Sequence, residues 1–488
     1  MRYRITTVSL VAMVIAAVFQ ISLVSATSVV EWEAASNARS RQVEGAEGQK
    51  QNAMGRVLQV YYVAPDGNDG NPGTEAQPFR TISQGVSVAQ AGDTVYVREG
   101  TYYERVRISS SGTADNPIVI SAYPGERPVI DAEYQGGSYD FAVTIQGGYI
   151  IFDGFEVKRG VGGVQAVGHH VTVRNVNCHH NLGSGIQVNG DYGLVENCDV
   201  WRNCLANENG QNADVGWGAG LAVGRYPSDA TIRKNVVYNN WGEGIIVFEG
   251  DHAVIEDNVV YDNYAVQLYV ANYSYVTMRR NLVYDTDDPA FSLRKGAAIG
   301  VCDEALAPDM KSYHLTIVNN LAMGGSSPFR WSRQITDTGL KDSLIAYNTF
   351  VNSHLNATFL ITSGQHSNTR IENNLILEEN AGKAVADVPA DAGLQFSNNL
   401  WSKTPEADAS GLGDVVGDPQ LAKSGVIGPG LLTPEWFKLL ASSPARGRAG
   451  VIAEVTEDFF GNARQSEPDI GAIERHSSVI HLPMIWKN

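Results

Sequence analysis

The chain has 488 residues, of which 50 are glycine and 18% are charged, and its formal net charge is −17. Proteins bind phosphate groups with clustered lysine and arginine, so this charge disfavours nucleic acid and anionic membranes as partners. Hydrophobic residues make up 43% of the sequence, which is enough for a large core.

The N-terminus has the features of an export signal. Arg2 and Arg4 form a basic start, an apolar stretch follows, and residues 24–26 (Val-Ser-Ala) fit a cleavage site. We therefore expect residues 1–26 to be a signal peptide and the mature chain to be secreted or held at the cell surface, without a transmembrane helix. An uncleaved membrane anchor is the alternative. Residues 27–58 are polar and predict a linker.

A short amphipathic helix is predicted before the first strand-like segment. Phe79, Ile82, Val86 and Ala89 recur at helical spacing, and the segment TVYV follows soon after. Because the open end of a stack of strands invites aggregation, we expect this helix to cover the start of the β-structure.

The central part of the chain repeats. Asn-Val-Val-Tyr at Asn235 returns at Asn258, and as Asn-Leu-Val-Tyr at Asn281, each 23 residues further on. Within one period, short alternating segments such as GIIVF are separated by Gly, Asn and Asp, which predicts short strands and turns. Three such strands make one coil of a parallel β-helix, whereas helical repeats need about 33 residues or more. We therefore predict an all-β protein with a parallel β-helix over residues 59–400.

Stacked coils bring equivalent residues of successive repeats together. We align the asparagines that follow the strands, and expect them to form amide ladders at the turns. They are Asn175, Asn197, Asn235, Asn258, Asn281, Asn320, Asn348, Asn374 and Asn399. The repeated tyrosines Tyr238, Tyr261 and Tyr284 are expected to stack inside the coil. These roles are structural, so we do not assign the asparagines to catalysis.

Two coils are longer than the rest and hold charged insertions, which in a solenoid become loops, often on the binding face. We expect the two loops to flank a groove, with Glu243 between them. The first includes Glu208, Asp214 and Trp217, with Arg225 just beyond. The second includes Asp287, Asp288, Arg294, Lys295, Asp303, Glu304 and His314.

Beyond residue 400 the repeat fades into a Gly- and Pro-rich region. We interpret residues 401–478 as a C-terminal capping region and residues 479–488 as a tail. The four cysteines, Cys178, Cys198, Cys204 and Cys302, lack the spacing of zinc ligands. Export permits disulfides, and the pairing stays open.

The segment YYVAPDGNDGNPGTEAQPFRTISQGVSVAQAGDTVYVREGTYYE resembles the N-terminus of secreted right-handed parallel β-helix proteins. These include polysaccharide lyases of the pectate lyase and chondroitinase or alginate lyase types. Near the other end, SSPARGRAG and EDFFGNARQSEPDIGAIE are similar to the ending of such exported proteins. The resemblance implies a right-handed β-helix over most of residues 60–475.

A closer resemblance is to the family-9 pectate lyases, which hold calcium with two acidic loops and use a lysine as the base. QNADVGWGAGLAV resembles the first loop, with Asp214 in the acidic position. NNWGEGIIVF stands where the second loop belongs and keeps Glu243, while Gly242 and Ile246 replace acidic residues. Gln267 lies nearest to the position of the lysine. The resemblance thus implies calcium chemistry with fewer ligands.

A sugar-binding face is predicted from the alternation of the GIIVF-type strands. If Ile245 and Val247 point inward, the neighbouring side chains point outward. The outward set is Gln165, Gln187, Asn189, Ala222, Ile246, Phe248, Gln267 and Tyr269. Amides can bond sugar hydroxyls, and exposed aromatics in register are unusual without a ligand. Our candidate substrate-binding residues are Trp217, Arg225, Phe248, Gln267, Tyr269 and His314.

Cleavage of a uronate polymer by β-elimination needs a neutralised carboxyl group and a base for the C5 proton. Lys295 and Arg294 are our candidates for the base and the neutralising cation, Glu243 is a further catalytic candidate, and His314 is an alternative base. Calcium needs several oxygen ligands, for which the candidates are Asp214, Glu243, Asp287 and Asp288.

Our leading hypothesis is an exported, monomeric enzyme that cleaves an acidic polysaccharide by β-elimination. The alternative is a cell-surface glycan-binding or structural β-helix without catalysis. A polysaccharide epimerase or a glycoside hydrolase is the third option, since Glu243 and Asp214 could form a carboxylate pair at the roughly 5–9.5 Å separation that hydrolysis requires.

Overall fold

The computed structural model describes residues 56–137, 140–210, 218–289, 291 and 296–475. Over these ranges the chain forms 35 strands and winds into a parallel β-helix, within a compact unit that begins at Gln59. No helix in the described ranges is long and apolar enough to cross a membrane. The predicted signal peptide, nearly all of the linker and the tail lie outside the described residues.

Each coil contributes to three rows of parallel strands, which we number as sheets 1 to 3. In the middle of the helix the chain passes from sheet 3 to sheet 2 and then to sheet 1. Sheet 3 is β3 (Thr101–Tyr102), β6 (Val129–Asp131), β9 (Glu156–Lys158), β12 (Asn177–His179), β15 (Asp199–Trp201), β18 (Val236–Tyr238), β20 (Val259–Tyr261), β22 (Leu282–Tyr284), β25 (Leu321–Met323), β28 (Thr349–Val351), β31 (Leu375–Leu377), β34 (Leu400–Trp401) and β35 (Val415–Val416).

Two long, bent strands join sheets 1 and 2 into one continuous hydrogen-bonded array. Sheet 2 is β4 (Val106–Ile108), β7 (Phe141–Ile145), β10 (Gly162–Ala166), β13 (Ile186–Val188), β16 (Ala219–Gly224), the first halves of β19 (Glu243–Glu256) and β21 (Leu268–Arg279), β23 (Ile299–Asp303), β26 (Phe329–Arg333), β29 (Phe359–Ile361) and β32 (Ala386–Asp387).

Sheet 1 contains the second halves of β19 and β21. Its other strands are β1 (Val60–Val63), β2 (Thr94–Val97), β5 (Ile118–Ala122), β8 (Ile150–Asp153), β11 (Val171–Arg174), β14 (Leu194–Glu196), β17 (Ser228–Arg233), β24 (Thr316–Val318), β27 (Leu344–Ala346), β30 (Thr369–Glu372) and β33 (Leu394–Ser397). The chain also forms 3₁₀ turns at Leu205–Gly210, Ala407–Ala409 and Pro434–Phe437.

The core fills the inside of the coils. Alternation along each strand sends every second side chain inward, so Val237, Val260 and Val283 stack in one column and are fully buried. Burial of each such side chain contributes about 1.5–3 kcal/mol to folding. The repeat of the sequence is thus the repeat of the core.

Helix α1 (Ile82–Val88) lies where the capping helix is predicted. Thr81 caps its N-terminus by accepting a hydrogen bond from the backbone N–H of Gln84. Ile82 and Val86 are buried against β1, β2 and β4. A Cβ at Gly85 would lie 2.8 Å from Cγ2 of Val63, so glycine is what lets the helix approach the first strands.

The amide ladder forms, but it starts later than predicted. From Asn235 each asparagine amide donates to the side-chain oxygen of the next, as Asn235 does to Asn258 at 3.0 Å, and the ladder ends at Asp414. Asn175 and Asn197 are not members. They lie one position earlier, with φ of 55°, where each coil needs a left-handed turn residue. The alignment was wrong there because asparagine suits both positions.

The tyrosine stack forms on the outside of the coils, not on the inside as predicted. Tyr238, Tyr261 and Tyr284 have neighbouring ring centroids 5.0 Å apart and nearly parallel planes. Because the valines of the same strands fill the core, strand alternation turns the tyrosine rings outward on sheet 3.

The C-terminal segment covers much of the outer face of sheet 3. Leu432, Trp436 and Ile470 pack there on Tyr284 and Leu321. A buried guanidinium fixes its far end, since Arg464 donates to Asn319 at 2.6 Å and lies 3.6 Å from the ring centre of Tyr347. The segment thus shields one face, and sheet 2 stays open for a ligand.

Candidate functional site

A groove of about 760 Å³ runs along the outer face of sheet 2. One row of its floor, set by strand register, is Gln165, Gln187, Ala222, Ile246 and Tyr269. At the usual strand spacing of about 4.8 Å, the strands from β7 to β21 span roughly 24 Å. The groove is therefore long enough for several sugar units.

The centre of the floor is apolar. Ile246, Phe248, Tyr269 and Ala271 form one hydrophobic cluster with Cys302. A Cβ at Gly224 would lie about 2.0 Å from the Phe248 ring, so the glycine makes room for this ring to lie across the neighbouring strand. Amide side chains continue the floor towards β10, at Gln165 and Gln187.

Tyr269 and Glu304 are joined at one wall of the groove. The phenol donates to Oε1 of Glu304 at 2.5 Å, and only 8% of Tyr269 is exposed. Burial, together with the nearby Cys302 thiol and the Glu304 carboxylate, raises the pKa of Tyr269 well above its usual range. Tyr269 is therefore a protonated phenol at all physiological pH values.

The loop that carries Glu304 is anchored by a buried amide. Asn272 donates to the carbonyl oxygens of Ala307 and Met310 at 2.9 and 2.8 Å, and it accepts from the backbone N–H of Glu304 at 2.9 Å. Leu306 of this loop lines the groove and is 83% exposed. The loop thus forms a fixed wall beside the apolar centre.

Glu243 lies at the opposite edge of the groove. It begins β19, pairs in register with Ala219 and is 6% exposed. The pKa of the Cys204 thiol is raised mainly by burial and secondly by the charge of Glu243. The same charge contributes to the raised pKa of Tyr269, so the Glu243 carboxylate acts on the groove interior.

Other charges lie around the rim. Asp140 pairs with Arg105 at 2.7 Å, and its pKa is lowered by the N–H of Gly137 and by that guanidinium. Glu249 and Arg225 line the groove near Phe248, and Arg225 is exposed. Asp140, Arg105 and Glu249 were not selected from the sequence, because no repeat or motif marks them.

The two long insertions meet on one side of sheet 2. Phe291 of the second insertion contacts Trp241, with ring centroids 4.7 Å apart, and Cys204 of the first belongs to the same cluster. Asn207 of the first insertion donates to the carbonyl oxygen of Trp241 at 2.6 Å. We predicted that the two insertions flank the groove as separate walls. Their described parts instead meet here, and the later part of the second insertion, which carries Glu304, forms the other wall.

Four candidate residues come together in the groove, namely Arg225, Glu243, Phe248 and Tyr269. Asp214, Trp217, Arg294 and Lys295 lie outside the described residues. The remaining candidates, which are Gln267, His314, Asp287 and Asp288, lie elsewhere.

Gln267 does not face the groove, and the prediction that it binds substrate is wrong. It is fully buried and ends a second amide ladder, accepting from the Asn263 amide at 2.9 Å and donating to the carbonyl oxygen of Asn263. It precedes the first residue of β21, so strand alternation does not set its direction.

His314 lies in an aromatic column at the turn between sheets 2 and 1. Its ring stacks on Tyr275 at 4.4 Å, and Tyr275 stacks on His252 at 4.6 Å. His314 has a left-handed φ of 55°, like the other two members of the column. This position points to a turn role rather than a place in the groove.

Asp287 and Asp288 belong to an acidic turn next to Asp262 and Asp285. The backbone N–H of Asp287 donates a hydrogen bond to Oδ1 of Asp285 at 2.7 Å. Burial raises the pKa of Asp262 to about 6, and the charges of Asp285 and Asp288 add to this effect. Neither Asp287 nor Asp288 lines the groove.

The calcium prediction can be tested against the side chains in place. Calcium needs several oxygen ligands around one point. Within the described ranges, no group of three or more His, Cys, Asp or Glu side chains could hold a metal ion. Ile246, where the resembled constellation has an acidic residue, belongs to the apolar cluster. The described residues do not fit a calcium ion, and a site that includes Asp214 stays a prediction.

The four cysteines are free and buried. Burial raises the pKa of the Cys198 thiol to about 12, and the pKa values of the other three thiols are also raised. Such thiols are poor nucleophiles, so their role is packing.

Comparison with known proteins agrees with this architecture. Residues 61–287 match the family model described as the Pel9A-like, right handed beta helix region. These coils form a Pel9A-like, right-handed β-helix. The predicted fold class is therefore confirmed, as is the resemblance to pectate-lyase-like β-helix proteins.

Individual relatives cover parts of the chain. Pectate lyase L of Dickeya dadantii is 33% identical over 171 residues, which are 32% of this chain and 40% of that protein. Pectate lyase PEL9 of Emericella nidulans is 33% identical over 207 residues, or 38% and 48% of the two chains. The chain thus spans less than half the length of these curated relatives.

The crystal structure of pectate lyase Pel9A matches with a TM-score of 0.55 and 18% identity. The match covers 88% of this chain and 98% of that chain. At this identity the likeness shows a shared fold.

Proposed function

We propose that this protein is a polysaccharide lyase that cleaves a uronate-containing glycan in the groove of sheet 2. The observation that carries the proposal is the convergence of Glu243, Arg225, Tyr269 and Glu304 around one long groove. The similarity of residues 61–287 to pectate lyases supports the same reaction class.

The groove has the chemistry of a glycan site. Gln165, Gln187 and Asn189 can exchange hydrogen bonds with hydroxyl groups, and Phe248 and Tyr269 offer apolar surface to the C–H faces of sugars. Such a mixture of apolar floor and a few placed polar groups is typical of ligand sites.

The reaction is a β-elimination. A base takes the proton at C5, the C4–O4 bond breaks, a C4–C5 double bond forms, and the leaving oxygen takes up a proton. We propose Lys295 as the base and Arg294 as a cation beside it. We propose that Glu243, one of several carboxylates that line the groove, orients substrate hydroxyls or moves a proton. No step is assigned to calcium.

The reaction can be tested through its product. Incubation with pectate, alginate and chondroitin should generate unsaturated ends that absorb at 235 nm on at least one of them. Glu243→Gln should lower the rate strongly because it keeps the shape and removes the charge. Val254→Gln, on the same strand but on sheet 1, is the matched control. New reducing ends without absorbance at 235 nm would indicate a hydrolase instead.

A second candidate function is glycan binding without catalysis. It is favoured by Gln267, which stands nearest to the lysine of the resembled lyases and is held in an amide ladder. Glycan retention without new ends on any of the three polymers would support it. In either case we propose a secreted or surface-held monomer.

A further inference from the structure

The middle of the groove floor is a surface for an uncharged group. Ile246 and Phe248 are half-buried neighbours on β19, and Tyr269 and Ala271 lie beside them on β21. The one hydroxyl of this patch is already used, because the Tyr269 phenol donates to Glu304. A carboxylate placed here would find no donor in the patch.

Among the described residues around the patch, most of the charged side chains are carboxylates. Glu304 lies at one wall, Glu243 at the opposite edge and Glu249 at the rim. Of the groove-lining residues that the structure describes, Arg225 is the one with a positive charge. It is exposed at the rim, where its backbone N–H donates to the carbonyl oxygen of Phe248. A free uronate over Ile246 would therefore lose water and gain repulsion, both of which are unfavourable.

We propose that the groove selects uronate units whose carboxyl group is esterified at the position over Ile246 and Phe248. The inference rests on the proposed function and names the substrate class of the same site. A methyl ester is uncharged, and its methyl group buries apolar surface against these side chains. Free carboxylates elsewhere on the same glycan can pair with Arg225.

Esterification also fits the chemistry of elimination. The charge of the carboxyl group must be neutralised for the C5 proton to become acidic, and an ester meets this need without relying on Arg294 or a metal ion. This agrees with Ile246 in place of an acidic residue on the groove floor. The apolar patch and the departure from the calcium-binding pattern are thus one feature.

The test compares two forms of each backbone. Polygalacturonate and alginate are used as free acids and as highly methyl-esterified polymers. Retardation of the protein in gels that contain each polymer measures binding, and absorbance at 235 nm measures cleavage. We expect the ester of at least one backbone to be bound and cleaved about tenfold more strongly than its free acid.

Each outcome decides a different claim. Equal or stronger binding and cleavage of the free acids would overturn the ester inference and leave the lyase proposal intact. Selective retardation by an ester without absorbance at 235 nm would support the inference and contradict the lyase proposal. Absence of retardation by any ester would overturn the inference.

A variant pair locates the effect. Ile246→Asp places a charge in the patch and should weaken retardation by the ester about tenfold or more. Val254→Asp places the same charge on the same strand, at a half-buried outward position of sheet 1, and should leave retardation unchanged. Circular dichroism checks that both variants fold. Equal retardation of the two variants would contradict the assigned position.

Discussion

The Tyr269 hydroxyl donates a 2.5 Å hydrogen bond to Glu304, and this bond ties the floor of the groove to one of its walls. The two residues are 35 positions apart in sequence, on β21 and on the loop after β23. Because Asn272 anchors the same loop from below, the wall is held in place before any glycan binds.

Loss of this bond should destabilise the groove wall. Tyr269→Phe keeps the ring and removes the donor, so Glu304 loses a bond to a charged acceptor. We expect the free energy of unfolding to fall by about 1.5–3 kcal/mol, measured by urea denaturation. Tyr226→Phe, at a side chain that is 74% exposed, should change it little. Equal values for the two variants would show that the bond adds no stability.

The amide ladder should be far more sensitive to substitution than the turn position beside it. Asn258→Ala removes two buried hydrogen bonds. The side-chain oxygen of Asn258 accepts one from the Asn235 amide, and its side-chain amide donates the other to the carbonyl oxygen of Ile232. We expect a loss of about 3 kcal/mol or more, since several buried groups are left unpaired. Asn197→Gly, at an exposed left-handed residue, should be nearly neutral. Similar losses would place Asn197 in the ladder after all.

Asp262 should make stability depend on pH in a defined direction. Its folded pKa is raised to about 6, above the ordinary value near 4, so the folded state binds the proton more tightly. Its favourable contribution is complete below about pH 4 and is lost as the pH rises through about 6. Asp262→Asn should therefore gain stability relative to the native chain between these pH values, by up to about 3 kcal/mol.

Urea denaturation at pH 4 and pH 7 measures this difference. Asp342→Asn, at an exposed residue of another turn, is the control. A difference between native and Asp262→Asn protein that does not change with pH would contradict the raised pKa.

The repeat and the alternation in the sequence were sufficient to predict the coils, the ladder from Asn235 onwards and the groove face. They were not sufficient at positions whose direction a turn decides. The alternation of AVQLYV predicts that Gln267 points outward. Gln267 instead lies before β21, and its side-chain amide completes a buried ladder. Asn197 shows the same limit, since asparagine also suits left-handed turns.

Contacts between distant segments were also beyond the sequence pattern. The bond between Tyr269 and Glu304 depends on where a loop returns after β23, and no periodicity describes that path. The environment of the outward tyrosine stack depends on where the C-terminal segment packs on the outer face of sheet 3, and no repeat describes that path. In both cases the sequence identified the type of residue, but it did not predict which distant residues would contact it.

The most direct test of the central claim is the rate of absorbance increase at 235 nm for a variant that fills the groove. Gln187→Trp places a large ring in the floor row, between Gln165 and Ala222, and Thr231→Trp places the same ring on the outer face of sheet 1. The native protein and Thr231→Trp should cleave a uronate glycan at similar rates, while Gln187→Trp should fall to background. Full activity of Gln187→Trp, or no activity of the native protein on any uronate glycan or ester, would contradict a catalytic groove on sheet 2.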